Sequence, residues 1–260
     1  MSIMAAPVRA TPISRANAVA KMTAALILTA TLVLSIDPVS AAVALAIELI
    51  ALPFAGLGVK TLLARTSVVW LAAFAGGFAT LFFGVDSGAT VLDLQVVRIS
   101  EGSAMLAAAI CLRVLAVALP GVVLFATTDP TDLADGMIQR LGLPARFVLG
   151  ALAALRLVGL LIDDWQSLAM ARRARGVGGG MGIKRFAGQA FALLVMSLRR
   201  GSQLATAMEA RGFGTAAPRT SARVSTFAAR DAVLVGGAAL VAALAVTAAN
   251  LAGTWNFIFT

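Results

Sequence analysis

Apolar residues along this chain fall into long unbroken runs rather than into alternation. Five runs stand out, at 22–36, 39–58, 68–85, 104–126 and 232–251. Each is about the length needed to cross a ~30 Å hydrocarbon core, the first being short unless Ala18–Ala20 join it. Backbone groups in lipid must be paired internally, so runs of this kind are helices rather than open strands. The pattern predicts an all-α polytopic membrane protein with about five transmembrane helices. The first run ends at Asp37-Pro38 and the second begins at once. A basic tail, a short apolar core and Ser40-Ala41-Ala42 resemble a secretory signal, but so tight a continuation suits a helical hairpin better than a cleavage site.

Between 127 and 231 the pattern changes. Asp129 and Pro130 are suited to start a helix, as cap and first helical residue. Leu133, Met137 and Leu141 then recur at spacings of four, which predicts a short amphipathic helix. Gly142-Leu143-Pro144 breaks it. A longer helix is predicted over 146–175, a flexible glycine turn over 176–182, and a third helix over 184–211, stopping at Gly212.

A sixth apolar run, 147–162, lies inside the first long helix, carries Arg156 and is flanked by basic residues. Charge decides its placement. Arg9, Arg15 and Lys21 mark the tail as cytoplasmic. The following loops carry in turn Asp37, then Lys60 and Arg65, then Asp86, Asp93 and Glu101 against Arg98. The signs alternate, so the fourth run brings the chain back to the cytoplasm. From there to Asp231 it holds fourteen of the 21 basic residues. The stretch 147–162 is therefore read as part of a helix at the inner membrane face. The expected organisation is a cytoplasmic tail (1–21), four spans (22–126), a cytoplasmic coupling domain of one short and two long helices (127–231), and a last span with an external end (232–260).

Composition agrees with a lipid-facing surface. The chain is 60% hydrophobic and 13% charged, against about 25% charge in a soluble domain. It has no histidine and one cysteine, Cys111, inside an apolar run. That removes the commonest general base and metal ligand, and any disulfide framework or cysteine-based zinc site. No catalytic, cofactor or metal site is expected. The glycines at 176–182 lack the Gly-Lys-Ser/Thr ending of a phosphate loop. Lys184, Arg185, Arg199 and Arg200 form a basic face that suits anionic lipid headgroups better than nucleic acid. Asp163-Asp164 is read as a solvated pair. Ala72, Ala75, Gly76, Gly77 and Ala79 crowd the third span and permit close helix contact, within the chain or with another subunit.

The two long helices end alike. Leu168-Ala169, Ala171 and Ala174-Arg175-Gly176 match Leu204-Ala205, Ala207 and Ala210-Arg211-Gly212, 36 residues on. Glycine suits a helix C-cap because φ > 0 is accessible there. The arginine lies in the last turn, where a cation opposes the helix dipole, and the alanines make a slim tip. A guanidinium on such a tip can grip a carboxylate with two parallel bonds. Arg-Gly is a common helix ending, but two copies in matching context suggest two similar sockets, such as two copies of one ATPase fold would supply.

The chain resembles the transmembrane T component of energy-coupling factor transporters, a vitamin-import branch of ATP-binding-cassette systems. The resemblance rests on the paired Ala-Arg-Gly motifs, with Glu209 before and Phe213 after the second. It extends to the run Thr127–Leu133 through Leu141–Pro144, to the basic approach ending in Lys21, and to Arg230-Asp231. It implies a non-catalytic subunit of a prokaryotic cell membrane, with an N-terminus in the cytoplasm. Its implied partners are two ATPase subunits or a homodimer, a separate substrate-binding membrane subunit, and lipid. Arg175 and Arg211 are implied to contact the ATPases. Gly159 departs from the family, which often has proline three residues after the arginine matching Arg156. Two other readings compete. A permease of a conventional ATP-driven importer docks through one cytoplasmic loop, which leaves the copy at Arg175 unexplained. A secondary transporter should line a path with several intramembrane polar groups.

Only Glu48 and Arg113 lie deep in spans. Each stands nine residues into its run, about 14 Å below the outer boundary at 1.5 Å per residue. Opposite charges at one depth offset each other's burial, so the two are expected to form an intramembrane ion pair.

Overall fold

A computed structural model describes residues 11–35, 37–56, 58–84, 90–94, 97–176, 182–215 and 220–254. Among these are eight α-helices: α1 (Ala18–Val33), α2 (Pro38–Ala51), α3 (Val59–Phe83), α4 (Glu101–Thr127), α5 (Pro130–Gln139), α6 (Ala145–Ala174), α7 (Ile183–Ala210) and α8 (Ala229–Leu251). A 3-10 turn, Leu52–Ala55, extends α2, and an antiparallel hairpin of β1 (Thr90–Leu94) and β2 (Val97–Ser100) joins α3 to α4. The chain divides into two compact units, one of residues up to Leu133 together with those from Ser225, the other Ala134–Val224.

The first unit packs α1, α2, α3, α4 and α8. Helices α1, α2 and α4 begin where the sequence supplies a side-chain cap. Asp37 precedes Pro38 and accepts hydrogen bonds from the Ser40 amide and hydroxyl, both at 2.6 Å, and from the Ser35 hydroxyl. Ser100 and Ser103 close α4 with a reciprocal pair of bonds, at 3.1 and 3.0 Å. The core is built from Leu32, Ala44, Leu45, Ala73, Leu115, Ala116 and Ala245. Its alanines let the helices approach closely, while Leu26, Phe74, Phe78 and Leu240 point outward, as lipid-facing residues do.

Of the small residues named on α3, Gly76 and Gly77 serve this packing, while Ala72, Ala75 and Ala79 are exposed. A Cβ at Gly76 would lie 3.6 Å from Ile110, and one at Gly77 would overlap Cys111 Sγ and come within 3.2 Å of the Ala107 carbonyl. Cys111 Sγ in turn donates to the Ala73 carbonyl at 3.1 Å. The contact is thus with α4 of the same chain. Gly77→Ala should lower thermal stability by about 1–2 kcal/mol, and Cys111→Ala in the same chain should recover most of the loss. Thermal unfolding of both variants in micelles checks this, and a double variant no more stable than the single one would count against it.

In the second unit α6 and α7 pack antiparallel. Arg200 and Asp164 form a two-point ion pair, Nη1 to Oδ2 and Nη2 to Oδ1. Gln189 Nε2 donates to the Trp165 carbonyl at 2.8 Å, and Arg172 Nη2 to the Gly188 carbonyl at 3.0 Å. The Trp165 and Phe186 rings lie 5.4 Å apart. Asp164 and Arg200, read from the sequence as solvated and headgroup-facing, instead tie the two helices together. Helix α6 runs unbroken through Gly159, because glycine, unlike proline, keeps the amide that the helix ladder needs.

Five helical segments are long and apolar enough to cross a membrane: Pro38–Ala55, Thr61–Phe83, Glu101–Thr127, Ala145–Ala174 and Ala229–Leu251. The number matches the expectation but the membership differs. Helix α1, at 16 residues, falls short by length alone, although it packs against α4 and α8 in the first unit. Helix α6 qualifies, yet it belongs to the second unit. The β-hairpin was not anticipated. The sequence there was read only as a charged loop, and Asp86 lies outside the described residues.

Candidate functional site

The two predicted tips form as helix ends of one design. At the end of α6 the Arg175 amide bonds the Ala171 carbonyl at 3.2 Å, and Gly176, at φ +73°, donates to the Arg173 carbonyl at 3.0 Å. At the end of α7, Gly212 has φ +77° and donates to the Glu209 carbonyl at 2.9 Å, and Phe213 donates to the Met208 carbonyl at 2.9 Å. That pair of bonds is the Schellman closure, in which only a residue tolerant of positive φ fits the turn. Val177, which would complete the same closure on α6, lies outside the described residues.

Ala174, Arg175, Gly176, Ala210, Arg211 and Gly212 are all exposed. Among the described residues neither Arg175 nor Arg211 has a hydrogen bond or ion pair from its guanidinium. The flanking arginine Arg172 is occupied, bonding the Arg185 and Gly188 carbonyls. Arg172 and Arg200 thus brace the two helices, while among the described residues the tip arginines present unspent donors.

Because α6 and α7 run antiparallel, the tips lie at opposite ends of the pair. Arg175 follows by less than a turn the Arg172 that touches Gly188, and Arg211 lies 23 residues beyond Gly188 on the same unbroken helix (211 − 188). At 1.5 Å per residue the tips stand about 35 Å apart, the width of a small domain. One pocket cannot receive both.

The expected ion pair in the first unit is not formed. Both Glu48 carboxylate oxygens are buried without a hydrogen-bond partner, and so are Arg113 Nε and Nη2. The acidic charge acting on Arg113 is that of Asp37. Counting from the ends of the apolar runs put Glu48 and Arg113 level, but packing does not. Glu48 lines a cavity with Leu119 and Pro120, and Ala44 and Leu45 share a core cluster with Leu115 and Ala116. Glu48 thus stands level with residues about six beyond Arg113, roughly 9 Å along α4.

The cobalt transport protein family model, CbiQ, matches residues 9–222. The chain belongs to that family. Similar proteins include three named energy-coupling factor transporter transmembrane protein EcfT. The one from Lactococcus lactis subsp. cremoris is 33% identical over 158 residues, 56% of this chain and 59% of the relative. That from Lacticaseibacillus paracasei is 31% identical over 183 residues, 65% of this chain and 68% of the relative. That from Bacillus subtilis is 26% identical over 189 residues, 68% and 71%. The chain thus spans 59% of the length of the Lactococcus relative. In this CbiQ-family protein both tips, with Glu48 and Arg113, fall inside the matched residues, and α8 lies beyond them. It is a multi-pass membrane protein.

Proposed function

We propose that this chain is the transmembrane coupling component of an ATP-driven importer of the energy-coupling factor type. Its two tips engage two ATPase subunits, or the two halves of an ATPase homodimer. The movement of those subunits passes through the second unit to a separate substrate-binding membrane subunit. The chain itself carries out no chemistry. The observation that carries this reading is the pair of like-built, exposed arginine tips, without a partner among the described residues and about 35 Å apart along α7. An ATPase dimer offers two equivalent sockets, one for each tip. A conventional permease, docking through one loop, leaves one tip without a use.

The second partner has its own support. Phe147, Leu155, Val158 and Leu160 on α6, and Phe191, Leu194 and Leu198 on α7, are exposed. Apolar surface of that extent needs cover, and a membrane subunit or the inner membrane face supplies it. The membrane is the cell membrane of a prokaryote, with the N-terminus and 127–231 on the cytoplasmic side. Co-expression with candidate ATPases tests the function: the full chain should purify with two ATPase subunits per copy, and a chain that purifies alone or with one would refute the reading.

Orientation is tested separately. In a Cys111→Ala background, Asn256→Cys should react with an impermeant reagent on intact cells, and Gly180→Cys only after permeabilisation. The opposite labelling pattern would sink the orientation.

A further inference from the structure

The start of α1 is bonded to the two stretches of the first unit that lead into and out of the second. Lys21 is buried, and its ammonium donates to the Ser14 carbonyl at 3.0 Å and to the carbonyl of Thr127, the last residue of α4, at 2.9 Å. Asn17 caps α1 through the Val19 amide at 2.9 Å. Its side-chain amide donates to the Ser225 hydroxyl at 2.8 Å and the Thr226 carbonyl at 2.9 Å. Asp231, fully buried at the start of α8, accepts from the Asn17 amide and the Ala228 amide, both at 2.7 Å. Asp132 and Asp231 are the acidic groups whose charge acts on Lys21.

The first passage between the units, from Leu133 to Ala134, lies within α5, six residues beyond Thr127 (133 − 127), and Ser225 is the first residue after the second. The second passage runs through a joint without helix, and a further joint lies on the membrane side of the first. Thr128 is extended, at φ −120° and ψ 131°, between α4 and α5, and 220–228 are non-helical up to α8. An unsupported joint absorbs a displacement by rotating its own dihedrals. A joint whose membrane-side end is bonded to a buried lysine or to a capped helix passes the displacement on.

We infer that Lys21, Asn17 and Asp231 form a clasp that positions both stretches against α1, so that motion of the second unit reaches α1, α4 and α8 together. This rests on the coupling function proposed above. Lys21 is a positioning residue and touches no substrate.

The test uses the full chain with its ATPase subunits in lipid nanodiscs, and ATP with vanadate as the probe. Amide hydrogen exchange is followed at the tips and in α1, α4 and α8. In the wild type, trapping should alter exchange both at the tips and in those helices. Lys21→Met and Asn17→Ser should keep the response at the tips and lose that in α1, α4 and α8 by about fivefold or more, while Lys21→Arg should stay within about twofold of wild type. Asn17→Ser retains a cap acceptor for α1 and loses only the bonds to 225 and 226, so it carries the test if Lys21→Met does not assemble. A membrane response equal to wild type in both variants would overturn the clasp. So would exchange raised in every state with the nucleotide response intact, which marks a purely structural role, and so would a wild type whose tips respond without its membrane helices. Wild-type tips that do not respond would instead overturn the coupling function itself.

Discussion

Charge reversal at either tip, Arg175→Glu or Arg211→Glu, should cut association with the ATPase subunits by roughly two orders of magnitude or more. The tip is a last helical turn of alanine and arginine closed by a glycine at positive φ, with no internal partner for the guanidinium among the described residues. Inside a socket that guanidinium is desolvated and needs a carboxylate. A glutamate there leaves two like charges facing each other, and a broken buried pair costs about 3–5 kcal/mol. At 1.4 kcal/mol per tenfold, that exceeds two decades. The tips lie at opposite ends of α6 and α7, so each single change should release one ATPase subunit while the other stays bound, and the double change should release both. Lysine should rescue only in part, since an ammonium cannot make the two parallel bonds of a guanidinium. Quantitative co-purification from membranes, with insertion checked by expression level, reads the result. Wild-type stoichiometry in the double variant would eliminate the tips as the docking points.

The tips were legible in the sequence because everything that shapes them is local. A cap glycine, an arginine in the last turn and small residues before it are set within a few positions of one another, and a repeat 36 residues apart needs no structure to be seen. The cap at Asp129 was legible for the same reason. What was missed depends on which helix face meets which. Asp164 and Arg200 are also 36 residues apart, but nothing in either neighbourhood says that α6 and α7 fold back antiparallel and bring them together. The same holds for the cluster at Lys21, where partners come from residues more than a hundred and more than two hundred positions away. The hairpin at 90–100 was hidden by its brevity, since two strands of five and four residues carry too little alternation to stand out from a loop.

Glu48 shows how far a depth count can mislead, and it carries the second large effect. An ion pair with Arg113 would make Glu48→Gln destabilising and a charge swap restorative. The structure reverses the sign. Both carboxylate oxygens are buried without a partner, and a polar group left so costs about 1–3 kcal/mol, more when charged. Glu48→Met removes that burden and fills the same space with a flexible apolar chain, so it should raise the thermal stability of the full chain in micelles by about 1–3 kcal/mol. Glu48→Gln, which keeps an unpaired amide, should gain less. Arg113 Nε and Nη2 are likewise buried without a partner, so Arg113→Met should also raise stability rather than lower it. Glu48 and Arg113 share no partner and stand about one and a half helical turns apart along α4. Their effects should therefore add to within about 0.5 kcal/mol in the double variant. A coupling energy well above that, or a charge-swapped chain as stable as wild type, would mean that the two side chains meet after all.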